Sequence, residues 1–296
     1  MNTNLKIIVL LLIVILVSFV TTIFTNKSNT TQGQNNAVLN QETLKEKVIR
    51  EGKIKVGYIA TTPQQLAKDP NTGKLYGMFY DIVEEMGKRL NLKIEWTEEV
   101  GWGTMIEGLN QGRYDMVGSP VWANSARALK ADFSIPATYN VMYAYARIDD
   151  DRLNKIEDIN SPKIKVTVVD GTTAQFLAKQ KFATAQVVAL PQLSAQSDLL
   201  LNVATNKADV VFIDPFVANS FLENNPNVRL KIIENKVVRV DGNSLVFNSG
   251  EFEFKNMIDT VLREEINGGF IDELLKKYDK FGNSFYPAAL PYSEVK

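Results

Sequence analysis

Short apolar runs and helix-like segments alternate along the chain from residue 52 onward. Residues 52–60, 92–99 and 114–119 are apolar runs of the length and kind that form strands. Between them, residues 76–91 carry apolar side chains at helical spacing, and residues 104–112 form a shorter segment of the same type. This β-α-β-α-β order predicts a parallel sheet covered by helices.

The same alternation restarts in the second half of the chain. The pattern predicts, in order, a strand, tight turn and helix over residues 163–181, a helix over 194–207, a strand over 208–214, a helix over 215–225, a sheet-like segment over 229–249 and closing helices over 253–268 and 269–282. We therefore predict two α/β units. No sequence repeat between them is strong enough to indicate a duplication.

The N-terminus differs from the rest because residues 7–24 carry no charge. Their length, about 18 residues, exceeds a signal-peptide core and just reaches the minimum for a membrane-spanning helix. No convincing small-x-small cleavage site follows, so we favour an uncleaved membrane anchor within residues 1–24 over a cleaved signal peptide. The polar residues that come next predict a flexible linker over 25–43. In either case we expect the folded part to be exported.

Composition removes several classes of function. The chain has 296 residues with 33 Lys and Arg against 34 Asp and Glu, a net charge of -1, so nothing favours nucleic-acid binding. Cysteine and histidine are both absent, which excludes disulfides, thiolate metal sites, Ser-His-Asp catalysis and ordinary zinc hydrolysis. We therefore expect no metal and no cofactor, while catalysis by carboxylates or lysine stays open.

Arg127 is the first candidate for ligand binding. It follows the turn-rich stretch "SPVWANSA" after a predicted strand, and ligands of open α/β sheets bind at the carboxyl ends of strands. Its guanidinium matches a carboxylate with parallel hydrogen bonds. Ser119 and the backbone amide near Val121 offer further donors, whereas Pro120 offers none. Taken alone, Arg127 is more often an ordinary surface charge.

The second half carries the complementary groups. Thr172 and Thr173 begin a predicted helix, whose N-terminus favours an anion, although a threonine there is more often only a cap. Asp214 ends an apolar strand, where it either pairs with an ammonium group or simply begins a helix. Trp102 and Trp122 lie in loop-like contexts and either cover a ligand or pack against the surface. Together these motifs are the complement of a zwitterion such as an α-amino acid.

These motifs occur in an order typical of a known family. The landmarks are "GKIKVGYIA", "GWGTMIEGLNQGRYDMVGSP", "ADFSIP", "VVDGTT", "NKADVVFIDPF" and "INGGFIDELLKKYDK". With them, the chain from about residue 44 to 285 resembles the family 3 extracellular solute-binding proteins of polar amino-acid ABC transporters.

The resemblance implies a fold and a division into lobes. It implies the periplasmic-binding-protein type II fold, an α/β fold in which two lobes with parallel-core sheets are joined by two hinge strands and close on the ligand. The crossings are expected near residues 139–147 and 237–245. Lobe 1 would then span 44–140 and return at 239–296 with the C-terminal helices, and lobe 2 would span 141–238.

The resemblance also implies roles for single residues. Arg127 would hold the ligand α-carboxylate and Asp214 the α-amino group. Ser119 and Thr173 would add hydrogen bonds to those groups, and Trp102 would stack on the ligand side chain. The implied partners are an amino acid, a permease in the membrane, and the membrane itself through the N-terminal segment, with the protein a monomer.

Two departures from the family pattern concern the side-chain pocket. Where the family often has an aromatic-Pro-Pro-Phe stretch, this chain has "TTPQQL" at 61–66, so Thr62 or Gln65 is expected to take the place of the ring. Trp122 falls where small hydroxyl residues are usual. The pocket is therefore reshaped, and the resemblance leaves the ligand's identity open.

Two alternatives to an importer's binding protein remain open. Some relatives with this fold resemble dehydratases of cyclic acids, and such an enzyme would here need a Glu or Lys as acid or base. A ligand-sensing module is the other alternative, although it normally has a signalling domain in the same chain.

Overall fold

The structure is a computed structural model that describes residues 42–282 and 284–288. The predicted anchor at 1–24 and nearly all of the predicted linker at 25–43 lie outside the described residues. None of the helices within the described residues is long and apolar enough to cross a membrane.

Strands and helices alternate through the described chain. The strands are β1 (Lys53–Tyr58), β2 (Ala67–Lys68), β3 (Leu75–Tyr76), β4 (Lys93–Glu99), β5 (Met116–Trp122), β6 (Ala131–Phe133), β7 (Thr138–Arg147), β8 (Lys165–Val169), β9 (Gln186–Leu190), β10 (Val210–Ile213), β11 (Leu230–Asn248) and β12 (Phe285–Pro287). The helices are α1 (Leu44–Glu51), α2 (Met78–Leu90), α3 (Met105–Asn110), α4 (Ser125–Ala128), α5 (Thr173–Lys181), α6 (Gln196–Ala204), α7 (Pro215–Asn224), α8 (Phe252–Asn267) and α9 (Phe270–Tyr278), with a 3-10 turn at Ile156–Ile159.

Local sequence explains the ends and faces of these helices. Helix α2 buries Phe79, Ile82 and Met86 on one face and ends at Asn91, which adopts the left-handed conformation with a φ of 52°. Helix α1 begins with a capping box, in which Thr43 and Glu46 each satisfy a backbone N–H of the other. The helical spacing predicted from the sequence is confirmed in both halves of the chain.

Two parallel trios of strands form the core of the sheet. In the first, β1 lies between β4 and β5, and in the second, β8 lies between β9 and β10. The long strand β11 and its antiparallel partner β7 run between the trios. The predicted α/β class with two parallel cores and two crossing strands is confirmed, and the structure adds that the crossing strands join both cores into one mixed sheet.

Separate hydrophobic cores accompany the two trios. Ile54, Phe79 and Phe254 belong to the core of the first trio, where α1, α2, α8 and α9 pack. Val168 and Phe212 belong to a core of the second trio, which also holds α5. We call these halves the first and second lobe. The predicted lobe limits at 140/141 and 238/239 fall within β7 and β11, and we propose these strands as the dividing point.

Candidate functional site

A cavity of about 650 Å³, measured with its open mouth, lies between the two lobes. Most of its lining comes from the carboxyl ends of the parallel strands, as expected for an open α/β sheet. The lining residues are Thr61, Gln65, Trp102, Pro120, Trp122, Arg127, Met142, Val169, Thr172, Thr173, Ala174, Gln196, Leu199, Phe212, Ile213 and Asp214.

Arg127 reaches this cavity from the short helix α4. Asn124 caps that helix by accepting a hydrogen bond from the Arg127 backbone N–H at 3.0 Å. The guanidinium is only 5% exposed and donates to the backbone oxygens of Trp122 and Gly171, each at 2.8 Å. It also lies over the Trp102 ring, 5.7 Å from its centre. Arg127 is therefore a buried cation that makes no ion pair with any residue that the structure describes.

Asp214 is the carboxylate of the cavity. It follows β10 and caps helix α7, because its Oδ1 accepts the backbone N–H of Val217 at 3.1 Å. Pro215 occupies the first helical position, where its missing N–H costs nothing. Asp214 is 5% exposed and has no ion-pair partner in the described part of the chain. The capping role considered from the sequence is therefore real, and the side chain faces the cavity as well.

Burial changes the pKa of both charged groups. Burial lowers the pKa of Arg127 to about 10, with the carboxylate of Asp241 on β11 acting in the opposite direction. Arg127 therefore stays protonated at neutral pH. Burial raises the pKa of Asp214 to about 6, although backbone N–H groups at the start of α7 oppose the shift. Asp214 is ionised at neutral pH but becomes protonated in mild acid.

The N-terminus of α5 contributes two threonines with different surroundings. The Thr172 hydroxyl donates to the Val169 oxygen at 2.7 Å and accepts the Gln175 N–H at 3.4 Å, so it caps the helix. The Thr173 hydroxyl is buried and has no hydrogen-bond partner among the described residues. An unsatisfied hydroxyl beside free N–H groups and the positive end of a helix dipole favours an anion.

Direct contacts connect the lobes beside the cavity. Gly171 has a φ of 77°, and a Cβ on it would lie 2.8 Å from the Gly103 nitrogen. The Gly103 N–H donates to the Gln192 Oε1 at 2.9 Å. With the bond from Arg127 to the Gly171 oxygen, two hydrogen bonds cross from lobe to lobe at this edge. Glycine is required here because the two backbones approach so closely.

Three of the residues predicted to bind ligand do not line this cavity. The Ser119 hydroxyl is fully buried and bonds to both the N–H and the oxygen of Ile59, at 2.7 and 3.1 Å. Val121 is packed in the first lobe's core. Thr62 lines a second, adjacent cavity and accepts the Gln65 N–H at 3.3 Å. Ser119 therefore positions the chain after β1 relative to β5.

The two predicted tryptophans do line the cavity. Trp102 packs against apolar side chains of both lobes. Trp122 donates from Nε1 to Asn243 on β11 at 2.7 Å, and the Asn243 amide in turn donates to Thr138 on β7 at 2.8 Å. The wall formed by Trp122 is thus tied to both crossing strands.

Sequence reasoning missed Gln196 and named Gln65 only as a substitute for an aromatic ring. Gln196 begins α6, after the end of β9, and Leu199 lies one turn further on. The strand-end rule would have indicated Gln196 if residues 186–190 had been predicted as a strand, since β9 belongs to the second parallel trio. Within the described residues, no cluster of acidic side chains is arranged to hold a metal ion.

Known bacterial proteins are similar to this chain. Residues 54–283 match the bacterial extracellular solute-binding proteins, family 3. The L-cystine-binding protein TcyA of Bacillus subtilis is 25% identical over 77% of this chain and 82% of its own. A probable histidine-binding protein of Campylobacter jejuni is 28% identical over 70% of this chain and 77% of its own.

Solved structures give the same result. The ancestral amino acid-binding protein AncCDT-1, a precursor of cyclohexadienyl dehydratase, superposes with a TM-score of 0.68 at 25% identity, covering 80% of this chain and all of that one. An ancestral arginine-binding protein bound to arginine superposes with a TM-score of 0.66 at 26% identity, over 77% of this chain and 98% of the other. The chain therefore belongs to the bacterial extracellular solute-binding proteins of family 3.

Proposed function

We propose that this protein is the extracytoplasmic substrate-binding protein of an ABC importer and captures an amino acid between its lobes. Its relatives carry names such as L-cystine-binding protein and probable amino-acid ABC transporter-binding protein, which supports this class of ligand. The same assignment makes a membrane permease the partner that receives the ligand. Residues 1–24 would hold the protein at the membrane, and it would act as a monomer.

One observation carries the proposal. The guanidinium of Arg127 and the carboxylate of Asp214 are both buried, both line the same cavity, and neither has an ion-pair partner among the described residues. A buried charge without a partner is costly, so such a pair is explained best by a ligand that neutralises both groups. An α-amino acid does this with its carboxylate and its ammonium group.

The remaining polar groups extend this assignment. Arg127 keeps N–H groups free beyond its two backbone bonds, and these would meet the ligand carboxylate. The Thr173 hydroxyl and the N-terminal N–H groups of α5 would bind the same carboxylate from the second lobe. Asp214 would accept the ammonium group. The carboxylate would thus be held by both lobes, which favours closure of the hinge formed by β7 and β11.

We propose binding without chemistry, although AncCDT-1 is described as a precursor of a dehydratase. Asp214 is the one carboxylate lining the cavity among the described residues, and its proposed task is to hold the ammonium group. Incubation of the protein with its ligand should return the ligand unchanged by mass spectrometry. A product that disappears in Asp214→Asn would favour the enzymatic alternative.

A thermal-shift screen of the full-length protein against the common amino acids tests the proposed function. A ligand that binds only the folded state raises the melting temperature, here by about 5 °C or more at saturating concentration. Arg127→Ala should abolish the shift. Arg113→Ala is the matched control, because Arg113 pairs with Glu98 away from the cavity. No shift with any amino acid, or a shift that persists in Arg127→Ala, would contradict the proposal.

A further inference from the structure

The cavity offers a distinct environment to the ligand's side chain. Once Arg127 and Asp214 hold the main-chain groups, the polar groups left in the lining are mainly the amides of Gln65 and Gln196. Resting on the proposed function, we infer that the ligand is an amino acid with an uncharged, hydrogen-bonding side chain, and that Gln65 and Gln196 recognise its polar end.

The charges of the lining exclude other side chains. Within the described residues, Arg127 and Asp214 are the charged groups of this cavity, and each is matched by one end of the amino acid's main chain. A cationic or anionic side chain would therefore be buried without a counter-charge, which is strongly unfavourable. A purely apolar side chain would leave buried amides without partners, which is also unfavourable.

Backbone hydrogen bonds fix the position of Gln65 at the cavity. Its backbone N–H donates to the Thr62 oxygen at 3.0 Å, and its oxygen accepts the Phe79 N–H at 2.8 Å. The chain is also clamped by Gly77, where a Cβ would lie 2.8 Å from the Gln65 oxygen. The side chain is 5% exposed, and its amide makes no hydrogen bond with any other described residue. An amide of a cavity-lining residue that lacks a protein partner is available to a polar ligand group.

Gln196 approaches from the opposite lobe. It is half-buried at the first position of α6, and its amide likewise has no hydrogen-bond partner within the described chain. An amide presents both a donor and an acceptor, so two of them can bind a carboxamide, a hydroxyl or a similar neutral group. The rings of Trp102 and Trp122 supply apolar walls for the carbon atoms between the two ends.

An adjacent outer cavity offers an alternative place for a charged ligand side chain. It shares Thr61 and Gln196 with the inner cavity and carries Asp198. A long cationic side chain could avoid burial only by passing into this outer cavity and reaching Asp198. Asp198 is exposed, so a pair formed there would be weakened by solvent.

The inference is tested by calorimetric titration of the full-length protein with four amino acids: L-glutamine, L-methionine, L-lysine and L-glutamate. Glutamine and methionine have similar size, so their affinity ratio reports the polar end of the side chain. We expect glutamine to bind at least about tenfold more tightly than the other three. Gln65→Met and Gln196→Met should each reduce the ratio of glutamine to methionine to below about threefold. Gln111→Met, at an exposed residue bonded to Glu107, should leave it unchanged.

The outcomes separate this inference from the proposed function. If lysine or glutamate binds most tightly, or if both cavity variants keep the preference for glutamine, the inference is wrong while amino-acid binding stands. Lysine binding that is lost in Asp198→Asn would place the side chain in the outer cavity instead. If no amino acid binds the wild-type protein, the proposed function itself fails. Melting temperatures of the variants show whether each is folded.

Discussion

The two lobes present their charges to the cavity in different ways. The first lobe uses a long side chain, Arg127, which extends from a four-residue helix and touches the second lobe at the Gly171 oxygen. The second lobe uses short side chains, Asp214 and Thr173, fixed at the starts of helices α7 and α5. In the proposed function the cation would therefore serve both ligand binding and lobe contact, whereas the anion would bind the ligand and caps a helix of its own lobe. Substitutions in the two lobes should accordingly have separable effects.

Among substitutions in the second lobe, we expect Asp214→Asn to cause the largest loss of ligand affinity. Asparagine still caps α7, so the melting temperature should change little. The ligand's ammonium group loses its counter-charge, and binding should weaken by about 2–4 kcal/mol, roughly 30- to 1000-fold. Titration with an amino acid and with its 2-hydroxy acid analogue checks this. The variant should lose its preference for the amino acid, and an unchanged preference would argue against the assigned role.

Binding should also depend on pH through the same carboxylate. Its pKa is raised to about 6, and the ligand's ammonium group binds the ionised form. Affinity is therefore fully present well above pH 6 and falls as the pH drops through that value, by up to about tenfold per unit below it. Titrations between about pH 5 and about pH 8 compare the ligand affinity on the two sides of this pKa. In Asp214→Asn the slope should vanish, and a slope that persisted there would assign the titration to another group.

A smaller effect is expected for Gly171→Ala, which acts on the lobe contact. The new Cβ would meet the Gly103 backbone, and the positive φ adds strain. Gly250→Ala is the matched control, because its φ is 90° but a Cβ there meets nothing within 4 Å. Both variants should lose about 1 kcal/mol of stability, but only Gly171→Ala should weaken ligand binding, by about tenfold. Equal ligand affinities in the two variants would show that Gly171 has no role in lobe closure.

The smallest effects should distinguish the neighbouring threonines of the second lobe. Thr172→Val removes a helix cap and should lower the free energy of unfolding by about 1 kcal/mol. Thr173→Val removes a hydroxyl that has no partner among the described residues, so stability should hold or rise while affinity falls by about fivefold. Chemical unfolding measures the stability of the two variants, and calorimetry measures their ligand affinity. The reverse assignment of effects would show that Thr172 is the ligand-facing residue.

Both charged residues predicted from the sequence line the cavity, whereas only some of the predicted neutral residues do. Arg127 and Asp214 were predicted because a lone charge after an apolar strand is conspicuous, and both line the cavity. Gln65 and Gln196 carry no such signal, because uncharged amides are common in surface loops. Ser119 looked equivalent to Thr173, yet its hydroxyl bonds to Ile59 and does not line the cavity.

The sequence by itself determined the α/β class, the alternation of strands and helices and several helix caps, but it did not indicate strand β9. These depend on the spacing of apolar side chains and on residues a few positions apart, so they are readable locally. Which hydroxyl or amide lines the cavity was decided by the tertiary structure. Arg127 meets Gly171 across 44 positions and Ser119 meets Ile59 across 60, and contacts of that range exist only after the lobes have folded and come together.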